Sequence, residues 1–406
     1  MDYLKQPFLF KIKKVLRYVR LYGPMRTYMK ILGQKHLRSH FTVLPRQRGH
    51  QSHQQTVGII GCGNYSFSTI AFFLRREFGD IIAACMDSDI NRAASMASQY
   101  RIPYYTENAD EVFENKNINL IYIASNHATH AEYAIKALEY GKDVYVEKPH
   151  VVSMDQLHRL HNAMRSNDGK VFLGFNRPGS RFGKIIAETL FREKAAAVYS
   201  WFIIGHFLGL DHWYLREGEG GRVLGNLCHW TDHILGLVRE KKFPLTIIPT
   251  RAEQNDRDMI VSFIFGDGTI ASLNFTSQGQ TFEGVRESFR AQKGDIIIAM
   301  DDFKKMSIEI GQYRKKYANY YRDHGHENNI IGAYRNVNNN LTYFREEEIS
   351  QILNSAWLFL NTKEAVDKNA PLIINSFEDE FAGIYPLNPR HEVSEQDHEK
   401  VTTVRY

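Results

Sequence analysis

A chain of 406 residues, 43% hydrophobic and 24% charged, is long enough for two domains, and its average composition lets most of it fold. No run of about 18 apolar residues occurs, which argues against a spanning helix. The three scattered cysteines, Cys62, Cys85 and Cys228, exclude a disulfide framework or a zinc knuckle and point to a reducing, cytoplasmic setting with no metal centre. The net charge of +5 is uneven: residues 1–50 carry twelve Lys and Arg against one Asp, so the body is mildly acidic and no nucleic-acid groove is implied.

Residues 1–55 read as a basic amphipathic extension and linker. Phe8, Ile12, Val15, Leu16 and Val19 recur at helical spacing among Lys11, Lys13, Lys14, Arg17 and Arg20, and Gly23-Pro24 breaks the pattern. Three readings stand: an arm packed on the body or on a partner subunit, a membrane-surface helix giving peripheral contact through residues 1–41, or a poorly ordered lead-in. The segment from Pro45 to Gln55 is polar and reads as a linker. Deleting residues 1–50 is expected to leave a folded body, because the regular pattern starts only at Thr56.

From there, strand-like runs alternate with helical ones. The strands are Val57–Ile60, Ile81–Met86, Leu120–Ser125, Val144–Glu147 and Val171–Phe175; the helices lie near Ser68–Phe78, Ile90–Tyr100, His130–Tyr140 and Met154–Arg165. This predicts an α/β fold whose N-terminal domain, residues 56–176, is a doubly wound parallel sheet. After Asn176 come a helix near Ile185–Lys194, a strand at Val198–Ile204 and a helix at Leu227–Leu237. Strands at Leu245–Ala252, Met259–Phe265, Thr269–Thr276, Val285–Gln292 and Asp295–Ala299 follow, and a helix at Glu348–Lys363 closes the run. Residues 177–378 therefore read as a C-terminal α+β domain with a largely antiparallel sheet, and residues 379–406 as a polar tail.

The strongest local signal is Gly61-Cys62-Gly63-Asn64-Tyr65-Ser66, directly after a strand and before a helix. Gly61 allows the tight turn, and Gly63 lets backbone approach a pyrophosphate at the helix N-terminus. Asp87 ends the second strand, where an acid holds ribose hydroxyls, so the pattern is that of a dinucleotide-binding Rossmann turn. Asp87 favours NAD over NADP, and the adjacent Arg92, able to attract a 2′-phosphate, leaves NADP open.

Two further motifs, Ser125-Asn126-His127-Ala128-Thr129-His130 and Glu147-Lys148-Pro149, end later strands, and Gly174-Phe175-Asn176-Arg177 follows the fifth. Together with the run from Gly220 to Asp232, they resemble the Gfo/Idh/MocA oxidoreductase family, and in particular its branch in bacterial polysaccharide biosynthesis. The resemblance covers residues 56–375. It implies a cofactor site on Gly61, Gly63, Asn64, Tyr65, Asp87, Arg92, Ser125, Asn126, His130, Glu147, Lys148 and Asn176. It also implies a lysine at Lys148 touching the substrate hydroxyl, a catalytic histidine at His229 and a homo-oligomer joined through the second sheet.

The chemistry supports these roles independently. Hydride transfer from an alcohol carbon needs a group that takes the hydroxyl proton and a donor that steadies the alkoxide. His229 suits the first task and Lys148 the second, with Asp232 three residues on to orient the imidazole. The family often carries an Asp four residues before the histidine; here Gly225 stands there. Arg177, His212, Trp213 and Arg222, with His229, are candidate sugar or phosphate contacts, and His324-Gly325-His326 reads as a turn. The expected function is an oxidoreductase acting on a sugar or nucleotide-sugar. A lyase or hydrolase using bound NAD transiently, or a non-catalytic dinucleotide-binding subunit, are the alternatives.

Overall fold

The computed structural model describes residues 6–49, 54–209, 211–238, 242–251, 257–279, 282–339, 343 and 345–376. The chain opens on two helices, α1 (Phe8–Tyr22) and α2 (Pro24–His36), and reverses between them at Gly23, whose φ is 84°. The first sheet follows: β1 (Val57–Ile60), a π turn at Ser66–Ile70 running into α3 (Ala71–Phe78), β2 (Ile82–Met86), α4 (Ile90–Tyr100), β3 (Tyr104–Thr106) and α5 (Asp110–Phe113). Then come β4 (Leu120–Ile123), α6 (His127–Glu139), β5 (Asp143–Val146), α7 (Met154–Ser166) and β6 (Val171–Leu173). The six strands are all parallel in the order β3-β2-β1-β4-β5-β6, so direction of winding reverses between β1 and β4. Every residue of β1, β2 and β4 is buried, as a sheet covered on both faces requires.

The second half carries α8 (Arg181–Leu190), β7 (Ala197–Ile204), a π turn at Val223–Leu227 leading into α9 (Cys228–Leu237), β8 (Leu245–Thr250), β9 (Asp258–Ile264) and β10 (Ile270–Thr276). It continues with β11 (Arg286–Lys293), β12 (Ile296–Asp301), β13 (Lys305–Ile310), β14 (Tyr313–Ala318), α10 (His326–Asn338), α11 (Arg345–Lys368) and β15 (Leu372–Ile374). Nine strands form one sheet, β14-β13-β12-β11-β7-β10-β9-β8-β15, antiparallel except for the β7–β10 pair. Alternate residues of its strands are buried, and the outward set includes Val198, Phe202, Ile260, Ile264, Ile270, Ile297 and Ile310, an apolar face open to solvent.

Several elements depart from the sequence expectation. The helix expected at Ile185–Lys194 begins earlier, at Arg181, because Ser180 Oγ caps it by accepting from Gly183 N. β14 was not anticipated: Tyr313-Arg314-Lys315-Lys316 carries too much charge for a central strand, and it lies at the sheet edge where charge discourages further pairing. The turn assigned to His324-Gly325-His326 is the start of α10, with Gly325 at φ 83° before its first turn. The polar tail and the last residue of the expected strand Leu245–Ala252 lie outside the described residues. No helix among the described residues is long and apolar enough to cross a membrane.

The extension is an arm packed on the body. Met29 joins the core cluster on one face of the first sheet, together with Phe67 and Ile70 at the start of α3, Ala93 and Met96 of α4, and Ile330 and Ile331 of α10. His36 stacks on Phe67 at 4.1 Å and spans two elements: Nε2 donates to Cys62 O at 2.7 Å, and Nδ1 meets Ser95 Oγ at 2.9 Å. Arg26 donates to Ser68 O and Thr69 Oγ1. The start of the segment expected as a linker lies along β3, where Arg48 N donates to Pro103 O at 3.0 Å and Tyr105 OH to Pro45 O.

Candidate active site

The glycine turn sits at the switch point of the first sheet. Gly61 has φ 88°, and a Cβ there would lie 2.5 Å from Ala124 O, so only glycine lets β1 and β4 end side by side. A Cβ on Gly63 would meet nothing within 4 Å, so the backbone at this turn is open to a phosphate. Asp87, at the end of β2, ties itself to the same turn: Oδ2 accepts from Cys62 N at 2.7 Å and Oδ1 from Asp89 N at 2.9 Å. The turn and its acid thus fit a dinucleotide. The side-chain Oδ1 of Asn64 faces Gly33 of α2. Arg92 pairs with Asp89 at 3.4 Å on the surface.

Gly63→Val is therefore expected to keep the fold, since nothing crowds the new side chain, while abolishing NADH binding in calorimetric titration. Unchanged affinity in the folded variant would sink the assignment of the turn.

Beyond the ends of β4 and β5 lies a cavity of about 430 Å³. Both halves build it. Ser125, His130, Glu147 and Lys148 come from the first sheet, Tyr65 from the glycine turn, and Arg177, Trp213 and His229 from the second half. Lys148 Nζ donates to Gly225 O at 2.7 Å across the two halves. Burial lowers its pKa, but Tyr214, Cys228 and Glu147 outweigh that and hold it above the usual lysine value, so the ammonium persists. A Cβ on Gly225 would lie 2.5 Å from the Tyr214 ring, so an Asp at this position has no room. His229 is driven well below the usual imidazole pKa, first by burial and then by Arg177 and Lys148, and its Nδ1 has no hydrogen-bond partner among the described residues. A neutral imidazole beside a fixed ammonium is an acid–base pair ready for an alcohol. Glu147 is buried against Tyr145 OH at 3.0 Å, and burial raises its pKa.

Other sequence candidates are held by partners of their own. Asp232 does not orient His229: it is buried toward α11, accepts from Ser355 Oγ at 2.8 Å, and burial lifts its pKa to about 7. Arg222 donates to Asn226 Oδ1 at 3.0 Å and to His206 O, bracing the second half rather than lining the cavity. His212 caps the short turn at Trp213–Leu215. Asn126 donates to Glu219 Oε1 at 2.6 Å, and His127 Nδ1 to Glu219 O at 2.8 Å, a latch between the halves. His130 bridges Pro149 O at 2.8 Å and Ser125 O at 3.2 Å, which fixes the two strand ends without leaving a ring nitrogen for a ligand. Asn176 Oδ1 accepts from Arg177 Nη1 at 2.8 Å, and Arg177 reaches Glu287 at 3.1 Å.

Sequence reasoning missed Tyr18, Tyr22 and Lys30 of the extension, and His324 and His326 before and within α10, all of which line this cavity. Their distance along the chain from the motifs hid them.

A parallel sheet with a glycine turn at its switch point, capped by a second half that brings a lysine and a histidine together, defines a two-domain dinucleotide-binding protein. The chain matches the model of the Gfo/Idh/MocA oxidoreductase family, described as an NAD-binding Rossmann fold, over residues 55–175. Over 120 residues it is 30% identical to Oxidoreductase P35 of Formosa agariphila, covering 30% of this chain and 37% of that protein. Over 124 residues it is 30% identical to an inositol 2-dehydrogenase of Ralstonia nicotianae, covering 30% and 37%. The chain thus spans about a third of the length of these relatives. The solved structure of levoglucosan dehydrogenase with NADH and L-sorbose shares the fold, with a TM-score of 0.65 and 14% identity over 79% of this chain and 99% of that one.

Proposed function

We propose that this protein is an NAD-dependent oxidoreductase exchanging a hydride with a hydroxyl or keto carbon of a sugar or nucleotide-sugar. The observation that carries this reading is the shared cavity of Lys148 and His229 at the ends of β4 and β5, beside the glycine turn. The nicotinamide would supply the hydride acceptor or donor. Lys148 holds the substrate oxygen as it becomes alkoxide-like, and His229 takes the hydroxyl proton as the carbonyl forms. Trp213 offers a face for a sugar ring. The names of the inositol and levoglucosan dehydrogenases support a polyol or sugar substrate, and Asp87 beside the turn supports NAD over NADP. Steady NADH accumulation with NAD and a sugar panel is the expected result. Substrate consumption at constant NADH would instead replace net oxidation with transient redox, and cofactor binding without any turnover would point to a non-catalytic subunit.

The open apolar face of the nine-stranded sheet supports a homo-oligomer joined there. The outward face of α1, with Phe8 and Leu9 at 74% and 70% exposure among basic residues, supports peripheral contact with an anionic membrane. The free, buried Cys62, Cys85 and Cys228 suit a reducing cytoplasm.

A further inference from the structure

The N-terminal hairpin forms a further wall of the cavity. α1 lies across the loop between β10 and β11: Phe10 meets Phe282 edge-on at 5.3 Å, Lys14 Nζ donates to Phe282 O at 2.7 Å, and Arg17 pairs with Glu283. This placement brings Tyr18 and Tyr22 to the cavity that holds Lys148 and His229, and α2 adds Lys30. The Lys30 ammonium lies 4.9 Å from the Tyr22 ring centroid, a cation–π contact that offsets part of its desolvation.

What Lys30 lacks is an acid. Neighbouring cations are engaged: Arg26 by Ser68 O and Thr69, Arg322 by Asp302 and Glu283, Arg177 by Glu287. Among the described residues no carboxylate pairs with Lys30, and Lys148 has only a backbone carbonyl. A half-buried ammonium without a counter-charge is costly, and here burial with the charges of Arg26 and Arg322 pulls its pKa down to about 7. A second cavity, on the far side of Tyr22 and Tyr65, shares Lys30, so the ammonium stands where the two meet. Of the glycine turn, the catalytic cavity takes Tyr65 into its lining, but not Gly61 or Gly63.

We infer that the N-terminal hairpin is part of the substrate site and that Lys30 binds an anionic group, carboxylate or phosphate, on the sugar. This rests on the sugar-oxidoreductase reading above and specifies its substrate class. Tyr18 and Tyr22 form the adjoining wall, and Lys148 at the reacting carbon is the second cation that an acidic sugar would satisfy. The substrate is then an acidic sugar, and the extension determines specificity.

The test uses the full chain loaded with NADH, titrated with D-glucuronate, D-glucose 6-phosphate and D-glucose while the fluorescence of cavity-lining Trp213 and Trp230 is followed. The wild type should bind at least one acidic probe more tightly than glucose, and the preferred probe tells carboxylate from phosphate. Lys30→Met should weaken that probe by roughly tenfold or more, the scale of a hydrogen bond to a charged group. Lys30→Arg should recover most of it, and neither change should alter NADH affinity. Equal affinity of wild type and Lys30→Met for every acidic probe overturns the assignment. So does weakened NADH binding in Lys30→Met, which would make the lysine a cofactor contact. Wild-type protein that fails to bind NADH at all overturns the oxidoreductase reading and this inference together, whereas charge-blind sugar binding to the NADH complex overturns this inference alone.

Discussion

Replacing His229 by Asn, or Lys148 by Met, is expected to lower kcat by ~10²–10⁴-fold while NADH affinity and melting temperature stay near wild type. The two side chains come from different halves of the chain and meet in one cavity, so neither is needed to hold its own half together. Among the described residues His229 has no hydrogen-bond partner at Nδ1, and Lys148 gives up one bond to the Gly225 carbonyl. The pH profile separates their roles. His229 can accept a proton only while neutral, and burial with Arg177 and Lys148 pushes its pKa well below 6.5. Oxidation should therefore hold its rate as pH falls through the ordinary histidine range and drop only at more acid values. That acid limb should disappear in His229→Asn, whereas Lys148→Met should lower the whole profile. Rates within a few-fold of wild type in both variants would place the proton chemistry elsewhere, with His206 the next candidate in the cavity.

What could be read from the sequence was what local chemistry dictates. The glycine turn, Asp87 and the strand-end motifs at Ser125 and Glu147-Lys148 announce themselves because each needs particular residues within a few positions. The alternation of short apolar runs with amphipathic helices gave the parallel sheet for the same reason. What was hidden depends on contacts across hundreds of residues. α10 reads as polar because only Ile330, Ile331 and Ala333 are buried, yet they cover the face of the first sheet that Met29 also covers. The Asp232 assignment turns on a distant partner: Ser355, more than a hundred residues on, takes the carboxylate. The family's missing acid has a steric account that composition cannot supply, since Gly225 lies against the ring of Tyr214. Lys30 looked like one charge among many in a basic arm, and only the fold of that arm over the cavity gives it a distinct role.

That arm also reverses the expectation that it can be removed. A chain beginning at residue 54 should melt lower than the full protein by roughly 10 °C or more, or fail to fold. Met29 and Leu21 are 5% and 6% exposed, and losing a buried side chain of this size costs about 2–5 kcal/mol. Removing His36 takes the hydrogen bond from Cys62 O inside the glycine turn itself, at about 1–3 kcal/mol. Together these approach the whole stability of a typical domain. Because complete truncation removes many contacts at once, single replacements localise the effect. Met29→Ala should lower stability with NADH affinity retained, since Met29 is part of the core packed on the first sheet. His36→Ala should lower stability and also weaken NADH binding, because the imidazole fixes the Cys62 carbonyl between Gly61 and Gly63. Gly33→Leu should act more strongly still: its Cβ alone would meet the side chains of Asn64 and Ser68, and the larger leucine must displace both. A truncated protein with unchanged melting temperature and NADH affinity would show that α2 merely rests on the surface, and the stacking of His36 on Phe67 would then carry no weight in the fold.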